Sequence, residues 1–286
     1  MSFVAVSQTG RAIASDAAGS PDDMSENLTI WSWPDGRLIR RLPVRPDAIS
    51  SDWNYYASAN GVGRLGDGRP IVTLGKDVFA LHAFDPRNRF VVEAASGKGV
   101  DQHIRILSLP QGRVLNAFGH LRPSSMALSA DGALLATGHW QVVTLWNVRT
   151  GKRVGALHGF NRYVGGLSFS RDGGLLAASD GGGVEVWNVR RRRHLYTVDA
   201  PSYGSDPIFS PNGRWIAIGG YGAGTVSLID VRHGRLADQF RVSGLGCGSA
   251  AFSPDGRYLF TPSTGGLVKW PYDRGGTIRA FRIKNP

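Results

Sequence analysis

The sequence predicts an all-β protein built from repeats, and three observations predict it. A turn phrase recurs: "LSADGALLA" at 128, "FSRDGGLLA" at 169, "FSPNGRWIA" at 209 and "FSPDGRYLF" at 252. An alternating apolar segment follows most of these turns. Glycine is abundant at 39 residues, charged residues make up only 19%, and Val, Ile, Leu and Trp come in short bursts rather than helical stripes. A chain of 286 residues is an ordinary length for one all-β unit.

Taken in order, the turn falls at Gly10, Trp53, Asn88, Gly132, Gly173, Gly213 and Gly256, in steps of 43, 35, 44, 41, 40 and 43 residues. Asp-Gly and Asn-Gly supply the positive φ of a tight hairpin, so chain reversal explains each recurrence. The second anchor is "LTIWSW" at 28, "IRILSL" at 104, "VTLWNV" at 143, "VEVWNV" at 184, "VSLIDV" at 226 and "LVKWPY" at 267. Its key position is Trp31, Leu107, Trp146, Trp187, Ile229 and Trp270. The short second unit still holds its strands if "YYASA", "VGRL" and "PIVTL" are its last three, joined through the "GDGR" turn at 66–69. A period of 40 to 45 residues with turn glycines and a recurring Trp predicts a seven-bladed β-propeller with four antiparallel strands per blade. The blades are expected over roughly 2–44, 45–76, 77–118, 119–158, 159–200, 201–242 and 243–286, forming one domain. "SFVAVSQTG" matches the innermost strand of the first blade and "GTIRAFRI" at 276–283 the outer strand of the last. The ring is then expected to close by packing of apolar faces rather than by strand exchange.

On the "FSPDG", "FSRDG" and "LSADG" turns and the "LWN", "VWN" and "LID" strand ends, the chain resembles the WD-repeat β-propellers, most clearly over residues 120–283. Gly119 and His120 match the family's Gly-His pair, whereas its Trp-Asp ending is mostly Trp-Asn here. The resemblance implies an Asp-His-Ser-Trp hydrogen-bond network inside a blade, with His120 in a blade-internal role. It also implies a non-catalytic platform for assembling other proteins, in prokaryotic relatives often a sensory or recruiting part of a larger assembly.

The same resemblance sorts loops onto two faces. Turns after the first strands carry Arg11, Arg87, Arg89, Arg171, Arg214 and Arg257. Turns after the third strands carry Arg37, Arg69, Arg113, Arg149, Lys152, Arg153, Arg190, Arg191, Arg192, Arg193, Arg232, Arg235 and Arg274. Against these nineteen cations stand nine acids: Asp35, Asp52, Asp67, Asp85, Asp131, Asp172, Asp230, Asp255 and Asp273. That face therefore holds most of the net charge of +11. Polar turn residues are expected on solubility grounds alone, but four adjacent arginines, Arg190 to Arg193, exceed what a hairpin needs and fit an anion or acidic partner. The opposite face gathers His120, His139, Trp140, His158, Phe160, Arg162, Tyr163, Tyr203 and Tyr221, residue types that anchor protein interfaces or fill the space between blades. Trp140 is the foremost contact candidate.

Signals for chemistry are thin. "GLGCGS" at 244–249 has no following helix to present to a phosphate. Asp16, Asp22, Asp23 and Glu26 lack the ordered spacing of a calcium loop. His120, His139 and His158 come every 19 residues without a cysteine or carboxylate partner, and Cys247 has no motif-placed base. The sequon at Asn27 matters only in a secreted chain. No cofactor, metal site or catalytic residue is expected. With one cysteine, no signal segment and no apolar run of 18 residues, the chain is expected to be cytoplasmic. Two rival readings remain: nucleic-acid or anion binding through the basic turns, and a propeller hydrolase or lactonase that would need an inward ring of carboxylates. The partners expected are other proteins, acidic ones included, in a larger assembly or longer chain, with no membrane insertion.

Overall fold

The recurring turn owes its shape to a serine as much as to its glycine. In a computed structural model of the chain, Ser129 Oγ donates to Asp131 Oδ1 at 2.6 Å, and that carboxylate accepts the Ala133 N–H at 2.9 Å. The same Ser129 oxygen accepts the Leu134 N–H at 2.9 Å. Ser170 with Asp172, Ser210 with Asn212 and Ser253 with Asp255 repeat this arrangement. Each hairpin thus satisfies its backbone donors locally before any strand packs.

The structure describes residues 3–15, 28–74, 78–97, 103–120, 122–200, 205–220, 224–241, 249–263 and 277–283. Sheet one holds β1 (Val4–Val6), β2 (Ala12–Ser15), β3 (Leu28–Ser32) and β4 (Leu38–Leu42). Sheet two holds β5 (Pro46–Ile49), β6 (Tyr55–Ser58), β7 (Gly61–Arg64) and β8 (Pro70–Thr73). Sheet three holds β9 (Val78–Phe84), β10 (Phe90–Gly97), β11 (His103–Ser108) and β12 (Val114–His120). Sheet four holds β13 (Ser125–Leu128), β14 (Leu134–Asn147) and β15 (Arg153–Tyr163). Sheet five holds β16 (Gly166–Phe169), β17 (Leu175–Ser179), β18 (Gly183–Asn188) and β19 (Arg193–Asp199). Sheet six holds β20 (Ile208–Phe209), β21 (Trp215–Gly220), β22 (Thr225–Asp230) and β23 (Arg235–Arg241). The last sheet holds β24 (Ala251–Phe252), β25 (Tyr258–Ser263) and β26 (Thr277–Arg282). All ladders between neighbours within these sheets are antiparallel, and the described residues contain no helix.

This is an all-β propeller, but the expectation of seven four-stranded blades is corrected. Six sheets run from an inner to an outer strand; the last has three described strands. Sheet four counts among the six because β14 doubles back at Gln141, whose φ is 56°. Residues 135–138 of β14 pair with β13 and residues 142–146 with β15, while Thr137 in one half bonds to Thr144 and Trp146 in the other.

The last sheet also corrects the strand assignment. β26, expected as an outer strand, sits directly against β25, with Phe281 opposite Leu259. That is the register of Trp187 opposite Leu176 and Ile229 opposite Ile216. Ile283 N–H then bonds Arg257 O at 2.8 Å, as Val189 bonds Gly174 O and Val231 bonds Arg214 O. "LVKWPY" lies outside the described residues.

Apolar clusters lie between successive sheets. Leu157, Phe160, Leu167 and Trp187 join sheets four and five; Val184, Val198, Ile216 and Ile229 join five and six. Val4 and Ile13 meet Phe260 between the first sheet and the last, where Trp33 stands edge-on to Phe260 at 4.8 Å. Because each second strand is covered on both sides, "WIAIGG" of β21 is buried throughout.

Candidate interaction surfaces

The hairpin apex at Trp140 and Gln141 lies at the far end of its strands from the turns at 129–132 and 148–152. Gln141 Nε2 donates to Asn161 O at 3.1 Å and ties the apex to β15. Trp140 and Tyr163 are directly opposed in register, and their rings meet edge-to-face at 6.1 Å. Both remain in solvent, Trp140 66% and Tyr163 50% exposed. Arg162 and His158 are exposed beside them, and His139 is half-buried. The structure therefore gathers His139, Trp140, Arg162 and Tyr163 at one end of sheet four. Phe160 is corrected out of this surface: it is 3% exposed and packs on Trp187 at 5.0 Å between sheets, because the irregularity at Gly159, φ 109°, breaks the strand alternation after buried Leu157 and turns it inward. Tyr203, Tyr221, Cys247, Asn27 and the acidic stretch 16–26 lie outside the described residues, as do Asp273, Arg274 and the side chain of His120.

At the other end, the two kinds of turn share a face because backbone bonds join them. Val148 N–H reaches Ala133 O and Val231 N–H reaches Arg214 O, each at 3.0 Å. Several of the acids counted there are already engaged. Asp85 is buried under Arg89 at 2.8 Å, and Asp230 Oδ2 lies 2.9 Å from His233 Nδ1. Asp131, Asp172 and Asp255 are held below the usual carboxylate range, first by their serine hydroxyls. Arg190, Arg191 and Arg193 are exposed. Arg192 differs: at φ 50° it turns back and its guanidinium donates to the Val154 carbonyl of sheet four.

Sequence reading missed a charged row inside sheet three. His82, Glu93 and Arg105 are cross-strand neighbours on β9, β10 and β11, and Asp47 of β5 faces them from sheet two. His82 Nδ1 stands 3.2 Å from Asp47 Oδ2, and Nε2 3.5 Å from Glu93 Oε2, close for an ion pair but beyond a well-formed hydrogen bond. Arg105 Nε donates to Glu93 Oε1 at 2.9 Å. Burial pulls His82 toward neutrality, but the Asp47 and Glu93 carboxylates prevail and lift it to about 9. Burial likewise resists Glu93 ionisation, yet His82 and Arg105 hold it below its ordinary value. The signal was available in the repeat: Ser15, Ser58, Thr137, Ala178, Ile218 and Thr261 occupy the Glu93 position in other sheets, and none carries a charge.

Sheets four and five show a second polar device. Trp146 Nε1 donates to Thr137 Oγ1 at 2.9 Å, while Trp187 Nε1 donates to Glu185 Oε2 at 3.2 Å. Where Ala178 replaces the threonine, the acceptor has moved one strand over. Gly119, at φ 67°, lies beside the Trp146 ring, so a side chain there would meet strain as well as the indole.

Residues 151–188, from the turn of sheet four to the end of β18, match the family model described as WD domain, G-beta repeat. The match and the fold together support the WD-repeat propeller family. No curated protein matches the chain. The matched span carries the "FSRDG" turn and the "VWN" ending. Within the blades, the indole bond of Trp146 to Thr137 is a Thr-Trp version of the network that the sequence resemblance implied. No His, Cys, Asp and Glu grouping suited to a metal occurs among the described residues, nor any helix long and apolar enough to cross a membrane.

Proposed function

We propose that the chain is a non-catalytic protein-interaction platform that docks a partner protein on the Trp140 and Tyr163 end of sheet four. The observation that carries this reading is the exposed aromatic pair, two large rings held edge-to-face on a hairpin apex. Rigid aromatic side chains presented on a fixed scaffold lose little entropy on binding and bury much apolar area. His139 and Arg162 supply the polar rim. WD-repeat propellers commonly mediate protein–protein contact, which favours a protein client over a substrate. The single cysteine, Cys247, can form no intrachain disulfide, which favours a cytoplasmic setting.

The test is affinity capture from the source cytosol at low and high salt, with wild type beside Trp140→Ala/Tyr163→Ala. A partner that survives high salt with wild type and is lost with the double variant supports the reading. The same partner captured equally by both proteins defeats it. Melting curves should superimpose, since exposed rings contribute within about 0.5 kcal/mol to folding.

A further inference from the structure

Where one sheet's turn meets the preceding outer strand, size is normally divided one way. At the junction of sheets two and three, a side chain at Gly112 would lie 2.7 Å from Val72; at the junction of five and six, one at Gly234 would lie 2.9 Å from the Tyr196 ring. The turn holds the glycine and the strand holds the bulk. Between sheets four and five the division is reversed. Arg192 occupies the positive-φ turn position and Gly155 the strand position, and a Cβ on Gly155 would come within 2.6 Å of Arg192 Nε. The guanidinium fills the missing side chain's place and is fixed there by the Val154 carbonyl.

This exchange fastens the arginine turn of sheet five to the outer strand of sheet four and brings two sets of cations side by side. Arg149, Lys152 and Arg153 belong to one turn, Arg190, Arg191 and Arg193 to the next. All six are exposed and none forms an ion pair among the described residues. Neither turn contains a carboxylate. Exposed aliphatic side chains flank the strip, Val154 on β15 and Leu236 on β23, each 40% exposed. The two rings nearest the strip already have partners. Tyr196 packs on the Gly234 turn with its hydroxyl on Val231 O at 2.7 Å, and His194 stands edge-on to Trp187 at 5.1 Å.

We propose that this seam, on the opposite face from the aromatic pair and independent of it, docks an acidic protein segment whose carboxylates alternate with apolar side chains. Arginines pair bidentately with carboxylates, and Val154 and Leu236 receive the apolar residues between them. Arg192 is a positioning residue that sets the distance between the two turns.

Fluorescence anisotropy on the full chain tests it, using a labelled synthetic peptide of alternating Glu and Leu and, separately, a 20-nucleotide oligo-dT. Changing Arg190, Arg191 and Arg193 to Ser weakens peptide binding by about tenfold, the sum of three exposed charge contacts. Changing Arg11, Arg37 and Arg113 to Ser removes the same charge from sheets one and three and leaves binding within about twofold. Val154→Ser/Leu236→Ser weakens binding of the peptide by about threefold and leaves oligo-dT untouched. Gly155→Ala, whose Cβ displaces the end of the Arg192 side chain from the Val154 carbonyl and touches no backbone, weakens the peptide without shifting the melt. Wild-type failure to bind the peptide overturns the proposal, as does equal loss in the sheet-one and sheet-three variant, tighter binding of oligo-dT than of peptide, or indifference to Val154 and Leu236.

Discussion

Sheets three and five each bury a glutamate, and they treat it in opposite ways. Glu93 is flanked by Arg105 and His82 and is held ionised below its ordinary pKa. Glu185 has the Trp187 N–H as its hydrogen-bond donor, with His194 Nε2 at 3.9 Å, and is pushed up to about 7 by burial first and by Asp180. A buried carboxylate costs several kcal/mol unless cations and donors answer it. The comparison separates two uses of one residue type: in sheet three the charge is part of a chain of ion pairs joining two sheets, and in sheet five the glutamate serves as an acceptor for a core indole.

The largest effect comes from breaking the chain. Arg105→Met leaves Glu93 buried with only a distant His82 contact, and the chain should lose about 3–5 kcal/mol in urea unfolding. Adding Glu93→Gln should restore a good part of that loss, because the stranded charge goes with it. A double variant no better than the single would show that Arg105 acts through packing alone.

Next in size is Glu185→Gln. Its folded pKa of about 7 exceeds the ordinary 4.5, so the stability tied to its protonation is complete below about 4.5 and is lost as pH rises through 7. His82, raised from 6.5 to about 9, contributes fully below 6.5 and loses its contribution as pH rises through 9. Wild type should therefore weaken in two stages on going from pH 4 to pH 10. Buried Asp206, raised to about 6 by desolvation, contributes to the same lower stage, so Glu185→Gln should shrink that stage without removing it, keep the upper one, and gain on the order of 2–3 kcal/mol at pH 8 with little change at pH 4. Melting temperatures across pH read this directly, and a lower stage of unchanged size in the variant would assign it to groups other than Glu185.

What was legible beforehand follows from what repeats. The turn phrase and the "VWN" ending recur because every sheet needs the same hairpin and the same central strand, so class, period and face were readable, and Trp140 with Tyr163 came together as expected. Elements that occur once were not readable that way. Glu93 is a single charge in a column of small or apolar residues, and its partners His82 and Arg105 sit on other strands, visible only once the registers are aligned. Phe160 was misread because a break in alternation at Gly159, within the long β15 strand, decides its direction, and the loop outline does not show it. Two segments compatible with one strand position, "LVKWPY" and "TIRAFRI", both alternate, so the pattern alone did not say which would pair with β25.

The smallest effect tests the indole half of the comparison. Thr137→Val keeps the shape of the side chain in sheet four but leaves the buried Trp146 N–H without its acceptor. A neutral buried donor left unmet costs about 1–3 kcal/mol, less than stranding the charge of Glu93, and Thr137→Ser, which retains the hydroxyl, should cost clearly less than Thr137→Val. In sheet five the acceptor is a carboxyl that exchanges a proton near neutrality, so Trp187 fluorescence should titrate with Glu185 while Trp146 fluorescence should not. Single-tryptophan spectra across pH 5 to 9 would separate the two; a Trp146 signal that also titrates would mean the two sheets share one electrostatic environment across the Phe160 and Trp187 contact, and the division between charge-linked and indole-linked blades would fail.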